Sequence, residues 1–476
     1  MTAASPSRLR EVVTQALPWV TGVWVFLELL SLRIGLLNRF FFDTLHADVQ
    51  GIDYFSLPKA WLNLVAGRSL YATFDPPAYG PHFTWYLAHP LLACVLGWPL
   101  SRLAPGDSYG VFTMLSLATM AVCAFLLSRE SDSVFKARVI WLLFLGAFPT
   151  FSMLYVGNVQ AFTVLGISLL LDGMLRLVRE QKSAERLIFA GLLVCLFTKP
   201  IVGLMLPLLL LLRDTRRAAT TALLAYIPIT FLFEVIPFLN PQRVGLARVF
   251  WLARHPGFVR QTMEIYANHL VLTPDMRDNS IHFFNLVAQS GFRLQHVDVF
   301  SLPVFLDRLF RTRTPDWIYL LPTLATLALS LLVPRIEEKS TRRLCALCLV
   351  MAASLVFFLS YPTVWEYQYT AVLPLAAVLL LLPHSAVLSR QARAWSVGLA
   401  SCAALPSLYF LSGDANPSDG TLALVRLDRV VPVTLLFGLL LWIVTRAVIA
   451  SVKASPQRLF VIAPRQDYSS PAADQA

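Results

Sequence analysis

Residues 51–71 read GIDYFSLPKAWLNLVAGRSLY. They form the first polar stretch after the first long apolar run, residues 16–37, and they open on a carboxylate, Asp53. Ser56 predicts a helix N-cap, and Pro58 fits a first turn, where its missing N–H leaves nothing unpaired. Trp61, Leu62 and Val65 then recur at helical spacing, and Gly67 predicts a C-cap. The pattern is a short amphipathic helix lying on a membrane surface, with Asp53 at its mouth. Asp43, Asp48 and Asp75 share the loop. Loop chemistry alone leaves open whether Asp53 is a catalytic base or one of several solvated acids.

The rest of the chain explains why a polar stretch is informative here. The 476 residues are 57% hydrophobic and 14% charged, with a mean hydropathy of +0.64. A soluble domain carries roughly 25% charged residues, so the composition is that of a membrane protein. Spans of about 20 apolar residues recur along nearly the whole length, which predicts an all-α polytopic bundle rather than a barrel. The first run is followed by Arg33, Asn38 and Arg39 without a small-residue cleavage site, so no cleavable signal peptide is expected. The net charge of +11 falls largely in short loops, where it sets orientation rather than binding nucleic acid. Outward basic residues could also attract anionic headgroups or a phosphate-bearing substrate. The six cysteines lie in or beside apolar runs. Cys345 and Cys348 form a CxxC inside a span, which reads as packing.

In order, the chain divides into a tail (1–14), a first span (15–37) carrying Glu28 and Arg33, and an outer loop (38–81). A bundle follows (82–239), then a large outer loop (240–316), a second bundle (317–450) and a basic, disordered-looking tail (451–476). Basic short segments are expected on the cytoplasmic side. These are the N-terminal tail, 129–138, 176–186, 213–217, 335–343, 390–393 and the C-terminal tail. Alternation from an inside N-terminus then places both large loops outside. The run 187–212 must go out and return, broken at Thr198-Lys199-Pro200. Residues 82–103, interrupted by Pro90 and Pro99, must cross twice or re-enter for 129–138 to lie inside. About 10 to 14 spans result.

Polar interruptions converge on the outer side. They are Asp53-Tyr54, Tyr79-Gly80-Pro81-His82, Gly157-Asn158-Val159-Gln160, Thr198-Lys199-Pro200, Asp278-Asn279-Ser280-Ile281-His282 and Trp365-Glu366-Tyr367-Gln368-Tyr369. Irregular polar backbone at membrane depth is tolerated only where it is buried in protein or lines a wet cavity, so these joints suggest one shared cavity. Each has a plainer reading: a tight turn at 157–160, a snorkelling Lys199, interfacial histidines, an aromatic belt at Trp365–Tyr369. A belt does not account for Glu366. No HExxH, Walker loop or GxGxxG in a strand–helix context occurs. Neither outer loop carries an Asp-x-Asp pair, so no divalent-metal site is evident.

With these elements in order, the chain resembles the polyprenol-phosphate-sugar-dependent glycosyltransferases of the GT-C superfamily, most closely glycosyltransferase family 87, over about residues 15–390. Asp53-Tyr54 followed by Ala60, Gly67 and Leu70-Tyr71 is similar to the family's aspartate–aromatic opening. Tyr79-Gly80-Pro81, Gly157-Asn158-Val159-Gln160, Lys199-Pro200, Asn279-Ser280 and Ser360-Tyr361-Pro362 with Trp365 resemble its later elements. After the tryptophan the family often has two histidines, where this chain has Glu366-Tyr367-Gln368.

The resemblance implies transfer of a hexose, mannose first, from a polyprenyl-phosphate donor to a lipid or glycan hydroxyl. Transfer would be inverting and metal-independent, on the outer face of the plasma (inner) membrane. Asp53 would be the base, as in inverting glycosidases. Lys199 and His282 would hold the departing phosphate. Tyr54, Tyr79, Asn158, Gln160, Asn279, Trp365, Glu366 and Gln368 would orient sugar or acceptor. A lipid-linked sugar flippase would show paired half-repeats, which the sequence lacks. A surface-polysaccharide polymerase shares the many-span plan.

Overall fold

A computed structural model of the chain describes residues 6–35, 50–65, 79–80, 86, 88–198, 204–235, 301–312, 314–361, 364–383, 385, 387–412, 424 and 426–454. Gly67, His82, Lys199, Asn279, His282, the loop at 236–300 and the C-terminal tail lie outside the described residues. The protein is an all-α polytopic membrane protein. Seven helical stretches among the described residues are long and apolar enough to cross a membrane: Leu9–Ile34, Pro105–Ser128, Val134–Val156, Gln160–Val178, Trp317–Arg335, Lys339–Ser360 and Leu427–Lys453.

The helices are α1 (Pro6–Ile34), α2 (Ser56–Val65), α3 (pieces Pro90–Leu92, Ala93–Gly97 and Trp98–Leu100), α4 (Pro105–Ser128), α5 (Val134–Leu145), α6 (Phe148–Val156) and α7 (Gln160–Val178). They continue with α8 (Ala184–Thr198), α9 (Met205–Leu211), α10 (Arg216–Val235), α11 (Leu302–Phe310), α12 (Leu321–Leu332), α13 (Lys339–Ser360), α14 (Leu373–Leu381), α15 (Arg390–Ser401), α16 (Leu408–Ser412) and α17 (Leu427–Ala454). A 3-10 helix, Glu366–Val372, leads into α14. The apolar run at 139–156 is not one helix. Gly146 caps α5, its N–H bonding Leu142 O at 2.7 Å, and Pro149 sits in the first turn of α6, where proline is tolerated.

The basic loops gather at one end of the bundle. Arg176 pairs with Glu130 at 2.7 Å and with Asp172 at 3.1 Å, and Arg179 pairs with Glu130 at 3.0 Å. Arg343 pairs with Glu180 and Arg342 with Asp214. Arg138 donates to Thr14 O of α1 at 2.6 Å, and Arg393 donates to Leu382 O just past α14. Segments far apart in sequence thus share one charged end.

At the opposite end Tyr79 packs against the close of α3. The Tyr79 hydroxyl donates to Leu100 O at 2.9 Å and Leu103 O at 3.0 Å. Residue 79 therefore meets the C-terminal end of α3. At 1.5 Å per residue α3 reaches roughly 16 Å, about half a hydrocarbon core. α4 then leaves that end and arrives at Arg129 among the basic loops.

α7 and α8 form a tight hairpin. A Cβ on Gly191 would stand 2.3 Å from the Leu170 backbone nitrogen, and one on Gly166 would stand 2.6 Å from Cys195 Sγ. Small residues let helix backbones approach closely in a membrane, where lipid already satisfies apolar side chains. The hairpin carries Gln160 and Thr198 to the same end, where the Thr163 and Thr198 hydroxyls bond at 3.1 Å.

In the first span Glu28 does not pair with Arg33. It is buried and accepts from Trp24 Nε1 at 2.7 Å, while Arg33 is exposed.

Candidate active site

α6 ends in a left-handed glycine. Gly157 has φ +69°, a conformation that glycine adopts without a Cβ penalty. Its N–H bonds Met153 O and Leu154 O, and the Asn158 N–H also bonds Met153 O at 3.1 Å. The last helical carbonyls would still lack donors, and the Asp53 loop supplies them. Gly51 N–H donates to Tyr155 O at 2.7 Å, and Asp53 N–H donates to Val156 O at 2.9 Å. The approach is close: a Cβ on Gly157 would lie 2.4 Å from Tyr54 Cβ.

This docking brings Asp53 to Asn158. The Asn158 Nδ2 donates to Asp53 Oδ2 at 2.6 Å. The Asn158 Oδ1 accepts from Gln160 N–H, in the first turn of α7, at 2.9 Å. One amide thereby fixes both a carboxylate and a helix start. Ser56 differs from the expected N-cap. It is the first residue of α2, and its hydroxyl donates to Asp53 O at 2.6 Å, pinning the same loop.

Gln160 comes next. It is fully buried, and neither Oε1 nor Nε2 has a hydrogen-bond partner. A buried amide without partners costs about 1–3 kcal/mol. A group kept at that cost, two residues past the asparagine that holds Asp53, is suited to meet a polar ligand.

Four other residues expected to orient sugar or acceptor have their polar groups or rings taken up within the fold. The Tyr54 hydroxyl bonds Ser108 Oγ, and its ring is buried against Phe55, Tyr109 and Phe112. Burial pushes the Tyr54 phenol above the usual tyrosine range. The Tyr79 hydroxyl is taken by the Leu100 and Leu103 carbonyls at the end of α3. Glu366 forms a buried bidentate pair with Arg429 of α17, Nε to its two oxygens at 2.9 and 3.2 Å. Gln368 Oε1 accepts the Trp365 N–H at 3.0 Å, and Gln368 N–H returns to Trp365 O at 3.0 Å. Trp365 itself is part-buried, with its ring parallel to that of Tyr367 at 6.3 Å. The 3-10 helix packs against both α6 and α7, the helices that flank Asn158.

Sequence reasoning missed three polar groups. Lys59 and Asn63, four apart on α2, are both buried. Burial lowers the Lys59 ammonium below the usual lysine range. The two lie on the face opposite Trp61, Leu62 and Val65, so the amphipathic reading left them to water, whereas Val65 is the exposed residue. His89 is also buried. Its Nδ1 accepts Leu91 N–H at 3.1 Å, so Nε2 carries the proton and bonds Thr230 Oγ1 at 3.0 Å. Its ring lies 5.0 Å from that of Phe197, two residues before Lys199. Among the described residues no cluster of three His, Cys, Asp or Glu could hold a metal.

A many-span helical protein that lodges a loop carboxylate and an unpartnered amide at one bundle end has the plan of a membrane-embedded transferase. The family model for glycosyltransferase family 87 matches residues 86–362. The match covers more than half of the 476 residues, and the chain belongs to that family: it is a membrane glycosyltransferase. Asp53 lies ahead of the matched residues, whereas Asn158 and Gln160 fall within them. Comparison with curated proteins and with solved structures returned no match.

Proposed function

We propose that the protein transfers a hexose, mannose first, from a polyprenyl-phosphate donor to a lipid or glycan hydroxyl, with Asp53 as the base. The observation that carries this reading is the 2.6 Å bond from Asn158 Nδ2 to Asp53 Oδ2. A general base must be held in position before it is tuned. Asp53 is fixed by its own N–H on α6, by Ser56 on its carbonyl and by Asn158 on one carboxylate oxygen. Its Oδ1 would take the proton of the attacking hydroxyl. Attack on the anomeric carbon from the face opposite the phosphate inverts the centre, and an oxocarbenium-like transition state is expected.

A phosphate monoester is a good leaving group, so its departure would need charge neutralisation rather than a metal. Lys199 is the proposed cation, with His282 as a second donor. Lys199 directly follows Thr198, whose hydroxyl bonds Thr163 one turn beyond Gln160. Gln160 would exchange its unmet hydrogen bonds for sugar hydroxyls, and Trp365 would pack against the sugar or acceptor, with Asn279 beside them. Tyr54, Tyr79, Glu366 and Gln368 serve in this reading as the frame. With the basic end in the cytoplasm, the site opens on the outer face of the plasma (inner) membrane.

The test is transfer in nanodiscs from a radiolabelled polyprenyl-phosphate sugar, mannose first, to a membrane lipid extract. Labelled product that requires the protein and the lipid phosphate donor supports the reading. No transfer from any of several hexose donors overturns it.

A further inference from the structure

The buried pair of Glu366 and Arg429 lies outside the transfer chemistry above, yet its 3-10 helix packs on α6 and α7, the helices that flank Asn158. Both side chains are almost fully buried, at 3% and 0% exposure. Arg429 Nε donates to both carboxylate oxygens, and Nη2 bonds Glu366 and the Leu405 carbonyl. Nη1 donates to Cys402 O at 3.0 Å, and the guanidinium stands 5.6 Å from the Tyr369 ring centre. Asp428 Oδ2 lies 3.6 Å from Nη1. One guanidinium therefore ties together the 3-10 helix, the turn at 402–405 and α17.

Apolar packing could join these elements, and exchanging a buried ion pair for apolar groups is often neutral or stabilising. What apolar packing does not supply is the fixed angle of a planar five-donor fork. The element so fixed begins at Trp365 and packs on both helices that flank Asn158. Arg429 also falls beyond the family-matched residues 86–362.

We infer that Arg429 is a positioning residue that sets the placement of the Trp365–Gln368 segment over the site, so that the transferase unit extends into the C-terminal helix α17. The inference rests on the proposed role of Trp365. Two variants test it. Glu366→Leu with Arg429→Met removes both charges of the pair while Asp428 keeps the Leu408 N–H at 3.0 Å, and Arg429→Lys keeps the charge without the fork. Both should melt within a few degrees of the wild type and transfer at least tenfold more slowly. Adding Trp365→Ala to either should cause no further loss, because both changes act on one contact. Transfer within twofold of the wild type in a folded variant, or losses that multiply with Trp365→Ala, overturns the inference.

If the wild type transfers from no donor, the proposed function fails separately, and amide hydrogen exchange then decides. Faster exchange confined to 364–372 in either folded variant supports positioning, and unchanged exchange there overturns it.

Discussion

Asn158 serves two elements with one amide, donating to Asp53 and accepting from the first turn of α7. Asn158→Asp keeps the acceptor for Gln160 N–H but replaces the donor by a second carboxylate. Two adjacent carboxylates raise one another's pKa, and the base loses its tether. Transfer should fall about tenfold or more, with the rising limb of the pH–rate profile moved to higher pH. An unshifted profile at full rate would contradict this role. Gln160→Met tests the neighbouring amide. Removing two unmet polar atoms should leave melting unchanged or raise stability by about 1–3 kcal/mol. Transfer should nevertheless fall by about tenfold or more, read as kcat and KM for the donor. Asp53, Asn158 and Gln160 were each legible as polar marks in apolar sequence. The bond that joins Asp53 to Asn158 was not, because it spans 105 positions and depends on a left-handed glycine. The partner of Glu366 was hidden for a related reason: Arg429 lies 63 positions on, in a segment the family pattern did not reach.

Among the elements, the α7–α8 hairpin has the least tolerance. A Cβ at Gly191 meets the Leu170 backbone at 2.3 Å, and backbone cannot swing aside as a flexible side chain can. Gly191→Ala should cost about 1–3 kcal/mol through overpacking, lower the melting temperature in detergent and reduce transfer. A wild-type melt would show that the two helices can part without loss. The sequence marked both helices by their apolar runs, with the Lys-Pro break at the end of the second. It did not reveal their closeness, since Gly166, Gly173 and Gly191 acquire meaning only when the helices face each other. The break at Gly146–Ala147 was missed because apolar residues continue through it, and periodicity cannot report a change of direction.

For the molecule as a whole, the gathered basic loops predict an orientation with that end in the cytoplasm. Asp132 lies at the basic end and Asp107 at the site end, and both are exposed. In a background with the part-exposed Cys94 and Cys402 replaced, Asp107→Cys should react with an impermeant thiol reagent on intact cells. Asp132→Cys should react only after permeabilisation. The reverse pattern would put the site in the cytoplasm. Charge parity was legible from the sequence, and the all-helical plan with it. The contact of Tyr79 with the Leu100 and Leu103 carbonyls is one that no hydropathy pattern contains. The central claim is that Asp53 is the base, and its most direct test compares Asp53→Asn with the wild type in the reconstituted transfer assay. The asparagine keeps the size and the backbone bonds of the loop, so melting should change little. The account predicts transfer lowered by about a hundredfold or more at equal folded protein. Full transfer by a folded Asp53→Asn protein would contradict it.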